Sequence, residues 1–262
     1  MKIGFLGAGA MGGAILSGAV NAGVLDPKDV YVYDVSEKIL EKYAALGCNI
    51  CNDNEALGRA SDIVVLAVKP QYAAPALASL GNTVDGKAVI SIMAGATTKR
   101  IRDMIQGNIR VLRCMPNTPA LVNAGAFALC NETDLTAEEK AFAEKLFTSI
   151  GIVEWMNEKL IDTACGLSGS GPAFVALFIE ALADGGVLEG LPRTTAYRLA
   201  AQTVMGTAKL VMDTGMHPGQ VKDMVSSPGG TTITGCQVLE EMGFRAAAID
   251  AVQAATNKSR QL

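Results

Sequence analysis

"KIGFLGAGAMGGAILSGAVNAG", residues 2–23, decides the fold. A short apolar run breaks into glycines at Gly7, Gly9 and Gly12, and the residues after them carry helical spacing closed by Gly23. Strand, tight turn and helix with G-x-G-x-x-G spacing form a dinucleotide fingerprint. Gly7 permits the turn, Gly9 lets backbone approach a pyrophosphate, and Gly12 lets the helix pack on the strand. Glycine is so abundant here (28 of 262 residues) that the spacing alone arises easily by chance, so context carries the argument. The strand comes first, the helix follows at once, and a second strand, "DVYVYDV" (29–35), ends about twenty residues on at Asp34, where a ribose-binding carboxylate belongs. Asp34 there favours NAD over NADP; Ser36 and Lys38 lie close enough to serve a 2′-phosphate if the loop turns differently.

Outward from this motif, strand and helix signals alternate. "SEKILEKYAALG" (36–47) reads as an amphipathic helix, and "SDIVVLAVKP" (61–70), "KAVISIMAG" (87–95) and "NIRVLRCMPN" (108–117) as strands, with "TTKRIRDMI" between the last two. "GAFALCN" (125–131) and "IVEWM" (152–156) are further strands, flanking a Thr-capped helix over 136–151. Such alternation predicts crossover connections and a doubly wound, Rossmann-type parallel sheet. Strand signals stop near residue 158, and the rest reads as helices punctuated by Gly or Pro. The expected organisation is a dinucleotide-binding domain over 1–158 and an all-α domain over 159–262.

Composition narrows the function. Half the residues are apolar and 18% are charged, which excludes a disordered chain. A net charge of −4 argues against nucleic acid or an anionic membrane as partner. "GPAFVALFIEALADGGVLEGL" (171–191) carries Glu180, Asp184 and Glu189, so a buried helix is expected rather than a membrane span. The six cysteines include one C-x-x-C, Cys48 and Cys51, and the sole histidine is His217, so no metal site is expected. Core thiols and the absence of a signal-peptide pattern at residues 1–13 point to a cytoplasmic protein.

Two hydroxyl-rich segments interrupt the helical half. In "GLSGSGPAF" (166–174), Ser168 and Ser170 precede Pro172, and Pro is pre-organised for the first turn of a helix, so an exposed helix N-terminus is expected there. "SSPGGTTI" (226–233) repeats the design, with Gly230 leading into Thr231 and Thr232. Successive backbone N–H groups and a Thr hydroxyl suit a small anion such as a carboxylate, although ordinary capping makes the same pattern. No general base accompanies them. A two-domain hydroxyacid dehydrogenase would need a Lys in the helix after the first loop, and residues 173–178 hold no titratable group. Hydride addition to an already protonated C=N bond needs less acid–base help. A non-catalytic, nucleotide-responsive assembly protein is the remaining alternative.

The chain resembles the pyrroline-5-carboxylate reductase family nearly end to end, in "GAGAMG", "LAVKPQ", "SIMAGA", "RCMPNTP", "GLSGSGPAF", "ALADGGVLEGLPR", "HPGQVKDMVSSPGGTT" and "GFRAA". The resemblance implies reduction of the cyclic imine 1-pyrroline-5-carboxylate to L-proline with NADPH or NADH. It also implies cofactor contacts from Gly7, Ala8, Gly9, Ala10, Met11 and Gly12, from Asn54, from Ala67, Val68, Lys69 and Pro70, and from Met93, Ala94 and Gly95. The substrate carboxylate would lie on Gly230, Thr231 and Thr232, with Asn117 near the nicotinamide and the hydroxyls of Ser168, Ser170 and Thr232 at the reaction centre. Two departures stand out. Some members carry an acidic residue where this chain has Gly215, and Asp34 stands where NADP-preferring members often have Ser or Arg. The family resemblance further implies a homodimer interlocked through the C-terminal domain, and dimers joined into a decamer. Independently, "GPAFVALFIEALA" and "AAQTVMGTAKLVM" are apolar around most of their circumference and need burial on several faces.

Overall fold

The structure, a computed structural model, describes every residue but Gln106, and Pro70 without its side chain. Eight strands form one sheet: β1 (Ile3–Leu6), β2 (Val30–Tyr33), β3 (Asn49–Ile50), β4 (Ile63–Leu66), β5 (Ala88–Ser91), β6 (Arg110–Met115), β7 (Gly125–Cys130) and β8 (Gly151–Met156). Their order is β3-β2-β1-β4-β5-β6-β7-β8. Every neighbouring pair is parallel except β6 and β7, which run antiparallel with Cys114 opposite Leu129. The sheet is thus the doubly wound one expected, with a reversal at β7 that the alternation of strand and helix did not reveal.

Both faces of the sheet are covered, which is why its strands are continuous apolar runs rather than alternating ones. Ile3, Phe5, Val30, Val32, Ile63 and Val65 point to one layer, where Ile15, Leu16 and Phe147 meet them. Leu6, Val64, Leu66 and Val89 point to the other, against Leu57, Leu77 and Ile101. Each such side chain is fully buried, and removal from water is worth about 1.5–3 kcal/mol apiece. The covering helices are α1 (Ala10–Asn21), α2 (Glu37–Ala45), α3 (Asn54–Ala60), α4 (Pro70–Ala78), α5 (Thr98–Ile105) and α6 (Ala137–Thr148). The Thr cap expected at residue 136 forms, and the structure adds its reciprocal half: Thr136 Oγ1 accepts the Glu139 N–H at 3.2 Å, and Glu139 Oε2 accepts the Thr136 N–H at 2.8 Å.

Six helices follow: α7 (Glu158–Ala164), α8 (Gly171–Leu188), α9 (Arg193–Thr214), α10 (Pro218–Met224), α11 (Thr231–Glu241) and α12 (Phe244–Ser259). The chain divides into two compact units, Met1–Ser170 with Gln253–Leu262, and Gly171–Val252. In the second unit α8 and α9 pack through Ala183, Ala196 and Ala200, joined by an ion pair between Arg193 and Asp184. Phe178 stacks on Phe244 with ring centroids 5.4 Å apart.

Two expectations are corrected here. The segment 165–169 is a π-helix, with Ser170 N–H donating to Cys165 O at 2.9 Å, and helix runs unbroken over Glu158–Leu188. No helix N-terminus is exposed at Ser168–Ser170; the widened turn accommodates Pro172, whose ring clashes with the preceding turn of a regular helix. The apolar helix over 171–191 is also not buried within the chain. Ala183 is the one buried residue of α8, while Leu177, Leu182 and Leu188 are exposed. Glu158–Leu188 is long and apolar enough to cross a membrane, and 6% of its apolar window is buried.

Candidate active site

The strand order reverses between β1 and β4, and the crevice outside the carboxyl ends of strands at such a switch point is where ligands bind in open α/β sheets. Gly7 follows β1, Asp34 follows β2, Ala67 follows β4, Met93 lies two residues past β5, and Asn117 lies two residues past β6. The sheet therefore delivers these candidates to one edge. A cavity of about 700 Å³ there is lined by Gly7, Gly9, Asp34, Asn54, Ala67, Val68 and Lys69, and by Val35, Tyr72 and Ala76, which the sequence did not single out.

The glycines behave as the fingerprint requires. Gly7 has φ +88°, and a Cβ on it would lie 2.8 Å from Ala67 O. A Cβ on Gly12 would meet Gly7 O at 2.5 Å and the Ala67 methyl at 2.7 Å, so helix and strand touch there. Around Gly9 a Cβ would meet nothing within 4 Å, and no side chain caps the helix that starts beside it. The free N–H groups of the first turn thus face open space, the arrangement that takes an anion. Ala8 is buried, Ala10 exposed and Met11 packed on the core.

Asp34 does more than face a ligand. Its Oδ2 accepts the Ala8 N–H at 2.8 Å and its Oδ1 the Ser36 N–H at 3.0 Å, so the carboxylate staples the glycine loop to the end of β2. Asn54 supplies the complementary signal. Its Nδ2 donates to Ala76 O at 3.2 Å and Ser79 Oγ at 2.5 Å, which fixes the amide's orientation; its Oδ1 is buried with no partner. A buried, unpaired acceptor costs about 1–3 kcal/mol, and a ligand hydroxyl or amino group relieves it. Val35, 92% exposed, and Tyr72, 62% exposed, give the cavity apolar walls fit for a planar base. These residues fit a nicotinamide dinucleotide.

Met93, Ala94 and Gly95 stand off that cavity, in the loop from β5 to α5. Met93 is buried, Gly95 has φ +69° against Leu262, and Ala94 packs on a cluster of Met115, Ala128, Cys130 and Ile161 that Cys165 joins. Asn117 is 8% exposed, and its Oδ1 accepts the Ala126 N–H at 2.8 Å, so half of this amide is spent on the turn between β6 and β7. Ser168 donates its hydroxyl to Ala164 O at 2.9 Å, inside the helix. Pro70's side chain lies outside the described residues. In the second unit, Gly230 precedes α11 with no capping side chain, and Thr231 and Thr232 occupy its first turn, so this segment is the free N-terminus that 168–172 is not. His217 caps α10, its Nδ1 accepting the Gly219 N–H at 3.1 Å.

Four buried thiols take no part. Burial raises Cys48 and Cys51, lifts Cys114 well above the ordinary range, and pushes Cys130 to about 12, so these stay protonated and unreactive. Among the described residues no cluster of His, Cys, Asp and Glu could hold a metal.

Comparison with known proteins accords with this geometry. A family model described as pyrroline-5-carboxylate reductase dimerisation matches residues 158–262, and one described as NADP oxidoreductase, coenzyme F420-dependent, matches residues 2–95. The pyrroline-5-carboxylate reductase of Methanosarcina acetivorans is 46% identical, over 100% of this chain and 97% of its own. That of Escherichia coli is 43% identical, over 100% and 98%. A crystal structure of Plasmodium falciparum pyrroline carboxylate reductase with NADP bound superposes with a TM-score of 0.89 at 35% identity, covering 100% of this chain and 97% of that one.

Proposed function

The chain belongs to the pyrroline-5-carboxylate reductase family, and from that premise we propose how its residues divide the work. It is an oxidoreductase acting on C=N, reducing 1-pyrroline-5-carboxylate to L-proline with NADPH or NADH. The observation that carries the site assignment is the open space at Gly9 beside an uncapped helix, in the same cavity as the orphaned Asn54 Oδ1.

A bound NADPH or NADH would supply the hydride for the imine carbon, and the ring nitrogen, keeping its proton, would become the amine of proline. The backbone at Gly7–Gly12 holds the pyrophosphate, with Ala8 and Ala10 beside it and Met11 fixing the helix. Asp34 and Asn54 Oδ1 both present acceptors, which suits ribose hydroxyls, while Lys69 supplies a cation at the cavity wall. Ala67 and Val68 form the cavity wall beside the glycine loop, and Met93, Ala94, Gly95 and Asn117 carry the nicotinamide end. The free N–H groups and hydroxyls of Gly230, Thr231 and Thr232 hold the substrate carboxylate. Ser168 lines the reaction centre from the π-helix and Ser170 from the residue that closes it, a geometry that recurs at functional sites.

The chain oligomerises, and we assign that role to the region from residue 159 onward, residues 1–158 carrying the dinucleotide. The exposed leucines of α8, with Leu199, Met205 and Met212 of α9, are an apolar surface that a second copy covers as a homodimer, and the decamer of dimers is its extension. Glu180, Asp184 and Glu189 on the same stretch suit a protein partner better than lipid. Six free cysteines fit a reducing cytoplasm. The test is oxidation of NADPH and of NADH by the purified protein with 1-pyrroline-5-carboxylate, with L-proline identified as product. Turnover with neither cofactor would sink the reading.

A further inference from the structure

Arg113 is the largest side chain in the molecule that is shut away from water, at 1% exposure, and nothing above gives it work. It opens "RCMPNTP" on β6, opposite Ser91 at the end of β5. Its Nη2 donates to Asp162 Oδ1 at 2.8 Å and its Nη1 stands 3.7 Å from Glu158 Oε1. Its Nε is buried without a partner, so the guanidinium is held by these two carboxylates alone. Both acids lie on α7, one turn apart, and each reaches on to another element. Glu158 Oε1 accepts the N–H of Thr98, the first residue of α5, at 2.7 Å, and Asp162 Oδ1 accepts the Ser259 hydroxyl at 2.9 Å. Glu132 accepts the Glu158 N–H at 2.8 Å and also the Asn157 amide, closing the network from the strand side.

The elements so tied are the two that bear on the nicotinamide end. Thr98 ends the loop that carries Met93, and α7 runs directly into the π-helix that holds Ser168 and is closed by Ser170. Between them lies the apolar cluster in which Ala94 meets Met115, Ile161 and Cys165. Apolar contact alone tolerates sliding; a buried guanidinium that donates one hydrogen bond to Asp162 and pairs with Glu158 at 3.7 Å fixes register, because its planar group cannot turn to one carboxylate without leaving the other.

We propose that Arg113 is a positioning residue for hydride transfer: through Asp162 and Glu158 it sets the Met93–Gly95 loop against the serine-bearing π-helix. It touches neither substrate nor cofactor, and it acts by holding the two faces of the reaction centre in register. Displacement of a reacting geometry by about 1 Å costs up to ~100-fold in rate, so its loss falls on the chemical step. The cavity that holds Asp34 and Asn54 binds the other end of the dinucleotide and includes no member of the network.

This inference rests on the imine-reductase reading, and the wild-type assay tests that reading separately; every comparison below is to an active wild type. Arg113→Lys keeps a charge but lacks the planar group that reaches both carboxylates, and Asp162→Asn keeps the shape but loses the charge. Both are measured for kcat, for the NADPH dissociation constant by fluorescence titration, and for the primary isotope effect with 4-deuterated NADPH. The expected result is a fall in kcat of roughly 10- to 100-fold with NADPH affinity changed less than about threefold and an isotope effect above the wild-type value. The double variant should lose less than the product of the two single losses, since both sever one link. If Arg113→Lys fails to fold, Asp162→Asn and Glu158→Gln carry the test. A lowered melting temperature with kcat and isotope effect unchanged would overturn the proposal, as would a loss confined to NADPH affinity.

Discussion

Gly9 and Gly12 separate ligand binding from folding within one loop. In Gly12→Ala the new methyl would lie 2.5 Å from Gly7 O and 2.7 Å from the Ala67 methyl, neither of which can swing aside. Overpacking of this kind costs about 1–3 kcal/mol, and at about 2–4 °C per kcal/mol for a chain of this size the melting temperature should fall by roughly 2–12 °C. In Gly9→Ala the methyl meets nothing within 4 Å, and the backbone at φ −66°, ψ −149° lies just past the extended region, a small strain for alanine. Losing glycine at a helix N-cap costs up to about 1 kcal/mol, and the stiffer unfolded chain returns part of it, so the melting temperature should fall less than in Gly12→Ala. On the proposed assignment, that methyl would stand where the pyrophosphate approaches backbone. Forfeiting one charge-assisted hydrogen bond there costs about 1.5–3 kcal/mol, which is roughly a 10- to 150-fold rise in dissociation constant. Fluorescence titration with NADPH and thermal unfolding, run on both variants, read the two quantities independently. Wild-type affinity in Gly9→Ala, or equal melting losses in the two variants, would refute the reasoning.

Three further outcomes follow from the same geometry. Asp34→Ser should shift the ratio of kcat/KM for NADH and NADPH toward NADPH, and should weaken both cofactors because the Ala8 N–H loses its acceptor; an unaltered ratio would remove Asp34 from the ribose site. Thr232→Val should raise KM for the imine with NADPH affinity unchanged, and identical kinetics would take that hydroxyl off the carboxylate. Glu139 is held below the ordinary carboxylate range by hydrogen bonds from Arg110 at 2.8 and 2.5 Å, against the opposing effect of burial and with help from the Thr136 N–H. A depressed carboxylate stabilises the fold fully above its unfolded value near 4.3 and ceases to as pH falls through the folded value. Glu139→Gln should therefore melt lower than wild type at pH 7, with the gap closing below about pH 4; a gap independent of pH would place the effect in packing instead.

Most of the sheet was legible because its strands are buried on both faces, and continuous apolar runs such as "DIVVLAV" stand out against polar connections. Asn49–Ile50 is too short to leave a pattern, so β3 was not seen. The reversal at β7 is a different case, since its signal was present and went unused. Only Pro116–Ala124 separates β6 from β7, and a parallel crossover needs about a dozen residues or more. Nine residues with two prolines and a 3-10 turn can return the chain only antiparallel.

The site was legible in proportion to how locally its residues act. Gly7, Gly9 and Gly12 shape the backbone of one turn, so their spacing alone predicts its geometry. Asp34 was read as a ribose ligand from its place after β2, while its hold on Ala8, twenty-six residues earlier, could be seen only in three dimensions. Ser168–Pro172 misled because glycine, serine and proline spell a helix start equally well when they accommodate a proline inside a continuing helix, and composition cannot tell a cap from a π-turn. Arg113 was invisible for the opposite reason. Its motif drew attention to Asn117, whereas its partners lie forty-five and forty-nine residues away on α7. A buried guanidinium is nonetheless a signal that sequence carries in muted form. An arginine inside a strand whose neighbours are Val111, Leu112, Cys114 and Met115 cannot be solvated, and two carboxylates four residues apart on a later helix are the partners such a residue demands.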